Sequence, residues 1–371
     1  MIVHLFNNTN HKFSEPYFDF IERRFSNDSH LFIILGDYSI YEFKKRHNLV
    51  IISYKRPLLY IHKVRQFFDK ADKIILHQLF ISSTLMVYLI INRRYLNKIY
   101  WMIWGGDLYD YKKAISIGNL KNVIKSKIKH LFVKEIKHII AVVYEDYLYA
   151  VREYGVVADY FYAFYSFPCL QSIHEDAIDK YADKENKIRI LVGNSGSESN
   201  NHLEILRVLH KFKDENIEIL CPLSYGGTHE YIDNVCNEGD SLFAEKFIAV
   251  NKFLLFPKYV SMLKTVDIAI FNNDRQQALG NIIMLLYLGK KIFIRSDITT
   301  WKYLCRLGLY VEDIYKLNKL AFDEFITINN DNYRINRDIV KSHFSEDNCA
   351  KLWAKVFNSS IPSPRIWTIL E

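Results

Sequence analysis

Several features that often reveal a protein's chemistry are scarce or absent in this chain of 371 residues. Its five cysteines are dispersed and never form a Cys-x-x-Cys pair, so the sequence predicts neither a disulfide framework nor a zinc site. No Gly-Lys-Ser/Thr sequence and no three-glycine dinucleotide motif occurs, which argues against a Walker site and a dinucleotide fingerprint. Asp-x-Asp is also absent, and we therefore expect no essential metal and no bound cofactor.

Long apolar runs are equally scarce. The first residues enter a strand pattern without a basic region or a small-residue cleavage site, so we do not expect secretion. The scattered, odd number of cysteines favours a reducing cytoplasm. The uncharged stretch Ile74–Ile91 is about the length of a membrane span. Polar residues from His77 to Thr84 interrupt it. We predict a buried strand, a polar turn and a buried helix here rather than a transmembrane helix.

Composition and charge indicate a folded protein with an uneven surface. Half of the residues are apolar and a quarter are charged, and the length allows two domains. Residues 1–160 contain 24 Lys and Arg against 15 Asp and Glu, whereas the remainder contains 25 against 27. A basic first half is typical of a surface that meets an anionic partner.

Short apolar runs alternate with helical patterns at the start of the chain. Strands are predicted at Ile2–Phe6, Leu31–Leu35, Leu49–Ser53 and Lys73–Leu76, and helices at Pro16–Phe25, Pro57–Phe68 and Thr84–Ile91. This alternation is typical of a parallel sheet covered on both faces, so the fold class is α/β.

A strand of bulky residues from Ile99 ends at Gly105-Gly106 and is followed by Asp107. Ligands of open α/β sheets bind beyond the carboxyl ends of the strands, so an acid at this position is well placed for chemistry. The alternative is that Asp107 caps the following helix or supports the turn.

Tyr111–Ile140 is the most basic segment, with a single acid, Glu135. Its lysines are Lys112, Lys113, Lys121, Lys125, Lys127, Lys129, Lys134 and Lys137. Its apolar stripe at helical spacing is Leu120, Val123, Ile124, Ile128, Leu131, Phe132 and Ile136. Such a helix can lie on an anionic membrane surface. The alternative is a core-packed helix with a solvated lysine face. No RNA-binding motif accompanies the charge, so we expect no nucleic-acid partner.

The polar segment Gln171–Asn186 is interpreted as a linker to a second α/β domain. Lys187–His210 predicts a buried strand, a small-residue turn at Gly193–Gly196 and an amphipathic helix capped by Ser199 or Asn200. Free N–H groups at the start of such a helix favour a phosphate ligand above the sheet. The alternative is an ordinary turn that needs glycine for its backbone angles.

A later strand, Ile268–Phe271, leads to Arg275-Gln276-Gln277 and a helix at Asn281–Leu288. These three residues are expected on the same sheet edge as Gly193–Gly196. A cation and two amides there suit an anion and hydroxyl site, and the alternative is a helix N-terminal turn with exposed polar residues.

The predicted domains are 1–170 and 188–344, joined by a linker at 171–187 and followed by a return helix and tail at 345–371. The helix at Ser345–Phe357 has a capping-box start and is predicted to pack against the first domain.

This organisation suggests GT-B architecture, in which two Rossmann-like domains face each other across a cleft. Three motifs resemble the TDP-N-acetylfucosamine:lipid II N-acetylfucosaminyltransferase family. They are Trp101-x-x-Trp-Gly-Gly-Asp-Leu-Tyr109, Ile190-Leu-Val-Gly-Asn-Ser-Gly196 with Ser199, Asn200 and His202, and Arg275-Gln-Gln277 with Gly280. The resemblance covers His4 to about Trp301.

The resemblance implies transfer of an N-acetylfucosamine-like amino or deoxy sugar from a TDP- or UDP-linked donor to a polyprenyl-diphosphate-linked oligosaccharide. This reaction belongs to bacterial surface polysaccharide synthesis, such as that of the enterobacterial common antigen, at the cytoplasmic face of the inner membrane. The implied donor residues are Gly193, Asn194, Ser195, Gly196, Asn200, Arg275, Gln276, Gln277 and Gly280. Asp107 would be the general base of an inverting reaction, or would position the acceptor of a retaining one. The implied acceptor residues are His77, Trp104, Gly105, Gly106 and Tyr109.

The chain departs from the family pattern at Gly106, where alanine is expected, at Ala278-Leu279, where Gly-Ile is expected, and in the turn after Gly196. These positions lie near the donor loops, so the donor sugar stays open. Two alternatives to a transferase also remain. One is a nucleotide-sugar epimerase of the same architecture, and the other is a non-catalytic sugar-nucleotide-binding scaffold in polysaccharide assembly.

Overall fold

The computed structural model describes residues 1–7, 11–25, 30–36, 43–53, 55–109, 120–167, 170 and 187–359. It divides the chain into two compact units, and each has its own hydrophobic core. Unit 1 comprises 1–166 and the residues from Glu346 onward, and unit 2 comprises Phe167–Ser345. The predicted linker at 171–186 lies outside the described residues.

Unit 1 is built on a parallel sheet whose order is β3-β2-β1-β4-β5-β6-β7. The strands are β1 Ile2–Asn7, β2 His30–Leu35, β3 Leu49–Ile52, β4 Lys73–His77, β5 Ile99–Met102, β6 His138–Ile140 and β7 Asp159–Phe161. The central strands are almost wholly buried because helices cover both faces of the sheet, which explains their continuous β-branched and aromatic sequences.

The described helices of unit 1 follow the strand alternation. They are α1 His11–Arg24, α2 Pro57–Lys70, α3 Ser83–Ile91, α4 Leu120–Glu135, α5 Tyr144–Tyr154 and, from the C-terminal end of the chain, α13 Glu346–Asn358. Helix α13 buries Trp353 and Phe357 within unit 1, and the Trp353 indole donates to the carbonyl oxygen of Phe164 at 2.8 Å. The predicted return helix is therefore confirmed.

Unit 2 contains a second parallel sheet, with the order β10-β9-β8-β11-β12-β13. Its strands are β8 Ile188–Val192, β9 Ile217–Pro222, β10 Phe247–Val250, β11 Ile268–Phe271, β12 Lys291–Ile294 and β13 Glu312–Asp313. Its helices are α6 His202–Leu209, α7 His229–Phe243, α8 Phe256–Thr265, α9 Leu279–Tyr287, α10 Thr299–Arg306, α11 Phe322–Ile326 and α12 Asn330–His343. The predicted α/β class is confirmed in both units.

Strand order decides which loops meet. In unit 1, β4 lies between β1 and β5, so the loops after these three strands share one edge of the sheet. In unit 2, β8 pairs with both β9 and β11, and this brings the loops after these strands together. Each order places the candidate residues of its unit at a carboxyl edge, where ligands of parallel sheets bind.

No helix among the described residues is both long and apolar enough to cross a bilayer. The stretch that was ambiguous in the sequence, Ile74–Ile91, forms the end of β4, a turn and helix α3.

Candidate active site

Asp107 lies in a helical turn at 106–109, beyond β5, and its carboxylate is wholly buried. One oxygen accepts the Trp104 N–H at 2.9 Å. The other accepts the Leu79 N–H at 3.0 Å and the Trp101 indole N–H at 2.8 Å. We call this arrangement the Asp107 clamp, because it fixes the loop after β4 against the loop after β5.

The clamp shows a structural role for Asp107, and its role as a general base stays a prediction. A base must come within hydrogen-bond reach of the substrate hydroxyl, and this carboxylate faces protein donors from both loops. Burial raises the pKa of Asp107, while the Lys129 ammonium and the three N–H donors act in the opposite direction. Of the two roles considered from the sequence, the structure supports the structural one, support of the turn.

Lys129 also departs from its predicted place. It was assigned to a solvated basic face, but its side chain is buried and its ammonium donates to the backbone carbonyl of Asp107. Of the apolar residues of α4, Leu120, Ile124 and Leu131 have exposed side chains, whereas Phe132 is buried in the core of unit 1. Lys112 and Lys113 lie outside the described residues.

His77 ends β4 and is completely buried, and its predicted place in the acceptor cleft stays a prediction. It belongs to a chain of hydrogen bonds. The Trp104 indole N–H contacts the Tyr165 hydroxyl at 2.9 Å, and that hydroxyl contacts His77 Nδ1 at 2.5 Å. His77 Nε2 lies 3.0 Å from His4 Nδ1, and His4 Nε2 lies 2.9 Å from His30 Nδ1.

The Trp104 indole N–H donates to the Tyr165 hydroxyl, because an indole N–H only donates. A hydroxyl can accept a second hydrogen bond as well as donate one, so the proton positions between Tyr165 and the three histidines are set by the tautomer of each ring. Burial lowers the pKa of His4 and His77 well below the usual value, with the neighbouring imidazoles adding to the effect at His4. Both rings are therefore neutral at pH 7.

The other residues predicted to bind the acceptor have different environments from one another. Trp104 is partly exposed and packs edge to face against Phe13, with ring centroids 4.8 Å apart. Gly105 adopts a left-handed backbone, and a Cβ on Gly106 would contact the Phe80 ring at 3.4 Å. Tyr109 donates its hydroxyl hydrogen to Asp146 of α5 at 2.6 Å, so it braces the helix behind the edge.

In unit 2, the turn Gly193–Gly196 is buried and makes most of its hydrogen bonds internally. The N–H of Gly193 donates to Ile270, that of Asn194 to the Asn200 side chain, and that of Gly196 to Tyr225. These three N–H groups are therefore engaged within the protein, and binding of the donor diphosphate by this turn stays a prediction. Their hydrogen bonds hold the loops after β8, β9 and β11 together.

The two glycines of this turn are required by packing. Gly193 has φ +71°, and a Cβ there would lie 2.5 Å from His202 Nε2. A Cβ on Gly196 would lie 2.8 Å from the carbonyl oxygen of Gly226. Close approach of neighbouring loops, rather than approach of a ligand, explains both residues.

Asn200 does not cap the helix, and neither does Ser199, because α6 begins at His202 after Asn201, which has a left-handed backbone. The Asn200 amide instead crosses the turn. It accepts from the Asn194 N–H and donates to the carbonyl oxygens of Ser195 and Ser197, at 3.0 and 2.9 Å. Its role in the structure is to shape the loop.

A side-chain network joins this turn to the loop after β11. The Gln277 amide donates to Asn194 Oδ1 at 2.9 Å and accepts from the Ser199 hydroxyl at 2.8 Å. Asn194 also donates to the Tyr225 hydroxyl at 3.3 Å. Both ends of the Gln277 amide are thus engaged within the protein.

Arg275 and Gln276 lie beside this network. Arg275 is half-buried and donates to the Gln276 carbonyl oxygen at 3.0 Å. The buried Oε1 of Gln276 has no hydrogen-bond partner in the described part of the chain. Gly280, at the start of α9, is exposed, and a Cβ there would meet Phe167 only at ordinary contact distance.

The sequence of the chain matches a known protein family. Residues 19–360 match the model of the family described as 4-alpha-L-fucosyltransferase glycosyl transferase group 56. The chain belongs to this family. As a member of it, the enzyme is a glycosyltransferase.

Solved structures similar to this fucosyltransferase-family enzyme share its two-domain architecture. One is a glycosyltransferase from Rickettsia africae, with 12% identity, a TM-score of 0.63, and 96% and 97% of the two chains covered. Another is Anabaena HepE in complex with UDP, with 10% identity, a TM-score of 0.66, and 96% and 99% covered. WaaG, a glycosyltransferase of lipopolysaccharide biosynthesis, has 10% identity, a TM-score of 0.63, and 97% and 100% covered. At these identities the likeness establishes the GT-B fold.

The sequence did not predict three residues that the structure adds to the candidate site of this glycosyltransferase. Asn273 follows β11, is 1% exposed, and neither atom of its amide has a partner among the described residues. His4 and Tyr165 complete the hydrogen-bond chain of His77. The position of Asn273 beyond a strand was the signal available for it. His4 and Tyr165 gave none, because they lie far from His77 in sequence.

Proposed function

We propose that this glycosyltransferase moves an N-acetylfucosamine-like amino or deoxy sugar from a TDP- or UDP-linked donor to a polyprenyl-diphosphate-linked oligosaccharide. The proposal places the enzyme at the cytoplasmic face of the bacterial inner membrane, in surface polysaccharide synthesis. The observation that carries it is the group of polar side chains beyond β11 in unit 2, where Arg275 follows Asn273 and precedes Gln276. Buried amide atoms of Asn273 and Gln276 have no hydrogen-bond partner among the residues that the structure describes.

Donor recognition is assigned to Arg275, Gln276 and Asn273. The Arg275 guanidinium suits the diphosphate, because charge-assisted hydrogen bonds to phosphate oxygens are short and strong. The buried amide atoms of Gln276 and Asn273 lack partners in the described structure, and the hydroxyl groups of a nucleotide sugar supply both donors and acceptors. Asn194, Ser199, Asn200 and Gln277 hold the surrounding loops in position.

The reaction breaks the bond between the anomeric carbon and the donor phosphate oxygen, and it forms a bond to the acceptor oxygen. The acceptor hydroxyl gives up its proton, which passes to the leaving nucleoside diphosphate or to water, and negative charge develops on that leaving group. In this proposal, Arg275 stabilises that charge. We propose that the reaction needs no essential metal. The expected result is that the rate of sugar transfer is the same with and without EDTA.

Helix α4 supports the membrane part of the proposal. We define the lysine face as the exposed residues Leu120, Lys121, Ile124, Lys125, Lys127, Leu131 and Lys134 of α4. By helical geometry its three aliphatic residues form one line, with lysines on either side. Exposed aliphatic side chains between lysines suit the interface of an anionic bilayer, where apolar groups insert and cations meet headgroups.

The test is turnover of purified full-length protein. TDP- and UDP-linked sugars are supplied with and without a short-chain prenyl-diphosphate-linked saccharide, and we expect release of nucleoside diphosphate that depends on the acceptor. Conversion of the donor sugar without an acceptor would indicate an epimerase. Nucleotide binding without any turnover across a broad donor panel would favour a scaffold and would contradict the proposal.

A further inference from the structure

Gln78 is the residue of unit 1 whose conformation and environment the fold does not explain. It follows β4 directly and is 1% exposed. Neither the oxygen nor the nitrogen of its side-chain amide has a hydrogen-bond partner within the described part of the chain. Buried amides are normally paired, so a native one without partners calls for a specific explanation.

The backbone of Gln78 is also unusual. Its φ is +99°, a region that side chains other than glycine rarely adopt. Strain of this kind persists where surrounding interactions enforce it, and it concentrates at functional sites. Here the next residue, Leu79, donates its N–H to the Asp107 clamp, and the Gln78 N–H itself donates to Leu76 at 3.0 Å. The clamp therefore holds Gln78 in the strained conformation.

Aromatic residues follow the two strands β4 and β5 at the same edge of the sheet. Phe80 is 44% exposed, and its backbone carbonyl oxygen accepts from the Asn7 amide at 3.0 Å. Phe13 is 41% exposed and packs against the partly exposed Trp104. Aromatic faces beside a small number of polar groups are typical of small-molecule sites, in which the rings supply apolar contact and the polar groups fix orientation.

We propose that Gln78, together with Phe13, Phe80 and Trp104, forms the subsite that binds the acceptor sugar. This inference rests on the proposed glycosyltransferase function and assigns it a recognition residue. The amide both donates and accepts, so its partner must do the same. A phosphate would satisfy the nitrogen alone and would leave the oxygen unpaired. The ligand group is therefore an uncharged hydroxyl or acetamido group of a sugar.

The test compares wild type with Gln78→Met and Gln78→Gly. Methionine keeps the size of the side chain and removes both polar atoms, and glycine relieves the positive φ. We expect both variants to melt at or above the wild-type temperature. The acceptor KM should rise about tenfold, as expected for lost hydrogen bonds, with the donor KM unchanged. Gln66→Met, at an exposed glutamine of α2, is the matched control and should behave as wild type.

The acceptor probe is a prenyl-diphosphate-linked N-acetylhexosamine, and its 2-hydroxy counterpart is tested in parallel. A KM effect confined to the N-acetylated probe identifies an acetamido ligand, and an equal effect on both identifies a ring hydroxyl. Lower melting temperatures with an unchanged acceptor KM would overturn the inference, because the amide would then serve the fold. Absence of transfer by the wild type itself would contradict the proposed function instead.

Discussion

Asp107→Asn distinguishes a structural clamp from a catalytic base. The Asp107 carboxylate accepts three N–H groups at 2.8–3.0 Å in a fully buried position. Asparagine keeps one acceptor oxygen and replaces the other with an NH₂ donor, so at least one of these N–H groups would face another donor. Loss of a buried hydrogen bond to a charged group costs about 1.5–3 kcal/mol, and we expect the free energy of unfolding to fall by that amount.

The two roles predict different kinetics for this variant. If the clamp holds the loops after β4 and β5, the acceptor KM rises several-fold and kcat falls by less than about tenfold. Loss of a general base would lower kcat by about 10²–10⁴ and leave stability intact. Thermal unfolding and initial rates at varied acceptor concentration therefore separate the two. A variant with the wild-type melting temperature and kcat reduced by about 10³ would refute the clamp.

The choice of substitution and control matters for this experiment. Alanine at position 107 would leave three buried N–H groups unpaired, at about 1–3 kcal/mol each, which approaches the whole stability of many domains. Asp146→Asn is the matched control. Asp146 is another buried aspartate of unit 1, and it accepts from the Tyr109 hydroxyl. We expect that variant to lose stability while its acceptor KM stays unchanged.

Three further predictions follow from buried and exposed charge. Folding lowers the pKa values of His4 and His77, so below the unfolded pKa of about 6.5 the unfolded chain binds protons that the folded protein does not. The stability that these neutral rings contribute is therefore fully present above that pH and is lost as the pH falls below it. The free energy of unfolding should fall by about 1.4 kcal/mol per histidine per pH unit there, and a melting temperature that is flat between pH 7.5 and 5.5 would contradict this. Lys73 donates to the carbonyl oxygens of Val356, Phe357 and Ser359 at 2.6–2.8 Å. Lys73→Met should lower the free energy of unfolding by about 2–4 kcal/mol and speed hydrogen exchange at the end of α13, and unchanged exchange would oppose this role. Replacing the four lysines of the lysine face with glutamine should weaken binding to anionic vesicles by about 1 kcal/mol per lysine, with neutral vesicles as the control, and equal binding would remove the membrane assignment.

The sequence predicted the sheets well because apolar runs that alternate with helical patterns leave few other arrangements. The helix predicted at Asn281–Leu288 is α9, and Gly289 follows it with φ +72°, a backbone that suits glycine after a helix. Side-chain contacts could not be predicted where they depend on partners distant in the chain. The orientation of Asp107 is decided by the Leu79 N–H, 28 residues away, and that of Gly196 by the Tyr225 carbonyl oxygen.

The sequence predicted where the candidate site residues lie in the fold better than it predicted what their side chains do. Residues beyond strands were correctly located at the carboxyl edges, because that position follows from topology alone. Their availability to a ligand did not follow. Asn194, Asn200 and Gln277 hydrogen-bond to one another and to residues of the loops after β8 and β9, whereas Asn273 and Gln78, which no motif marked, have amides without partners in the described structure.

The return of α13 to unit 1 affects how the protein is made. Trp353 and Phe357 pack beside Tyr17 and His4, so the core of unit 1 is completed by residues close to the end of the chain. A ribosome that adds about 5–20 residues per second has already released all of unit 2 before these side chains emerge. Unit 2 can therefore fold during synthesis, while unit 1 must wait with part of its aromatic core uncovered. A nascent chain halted before Glu346 should then bind chaperones through unit 1.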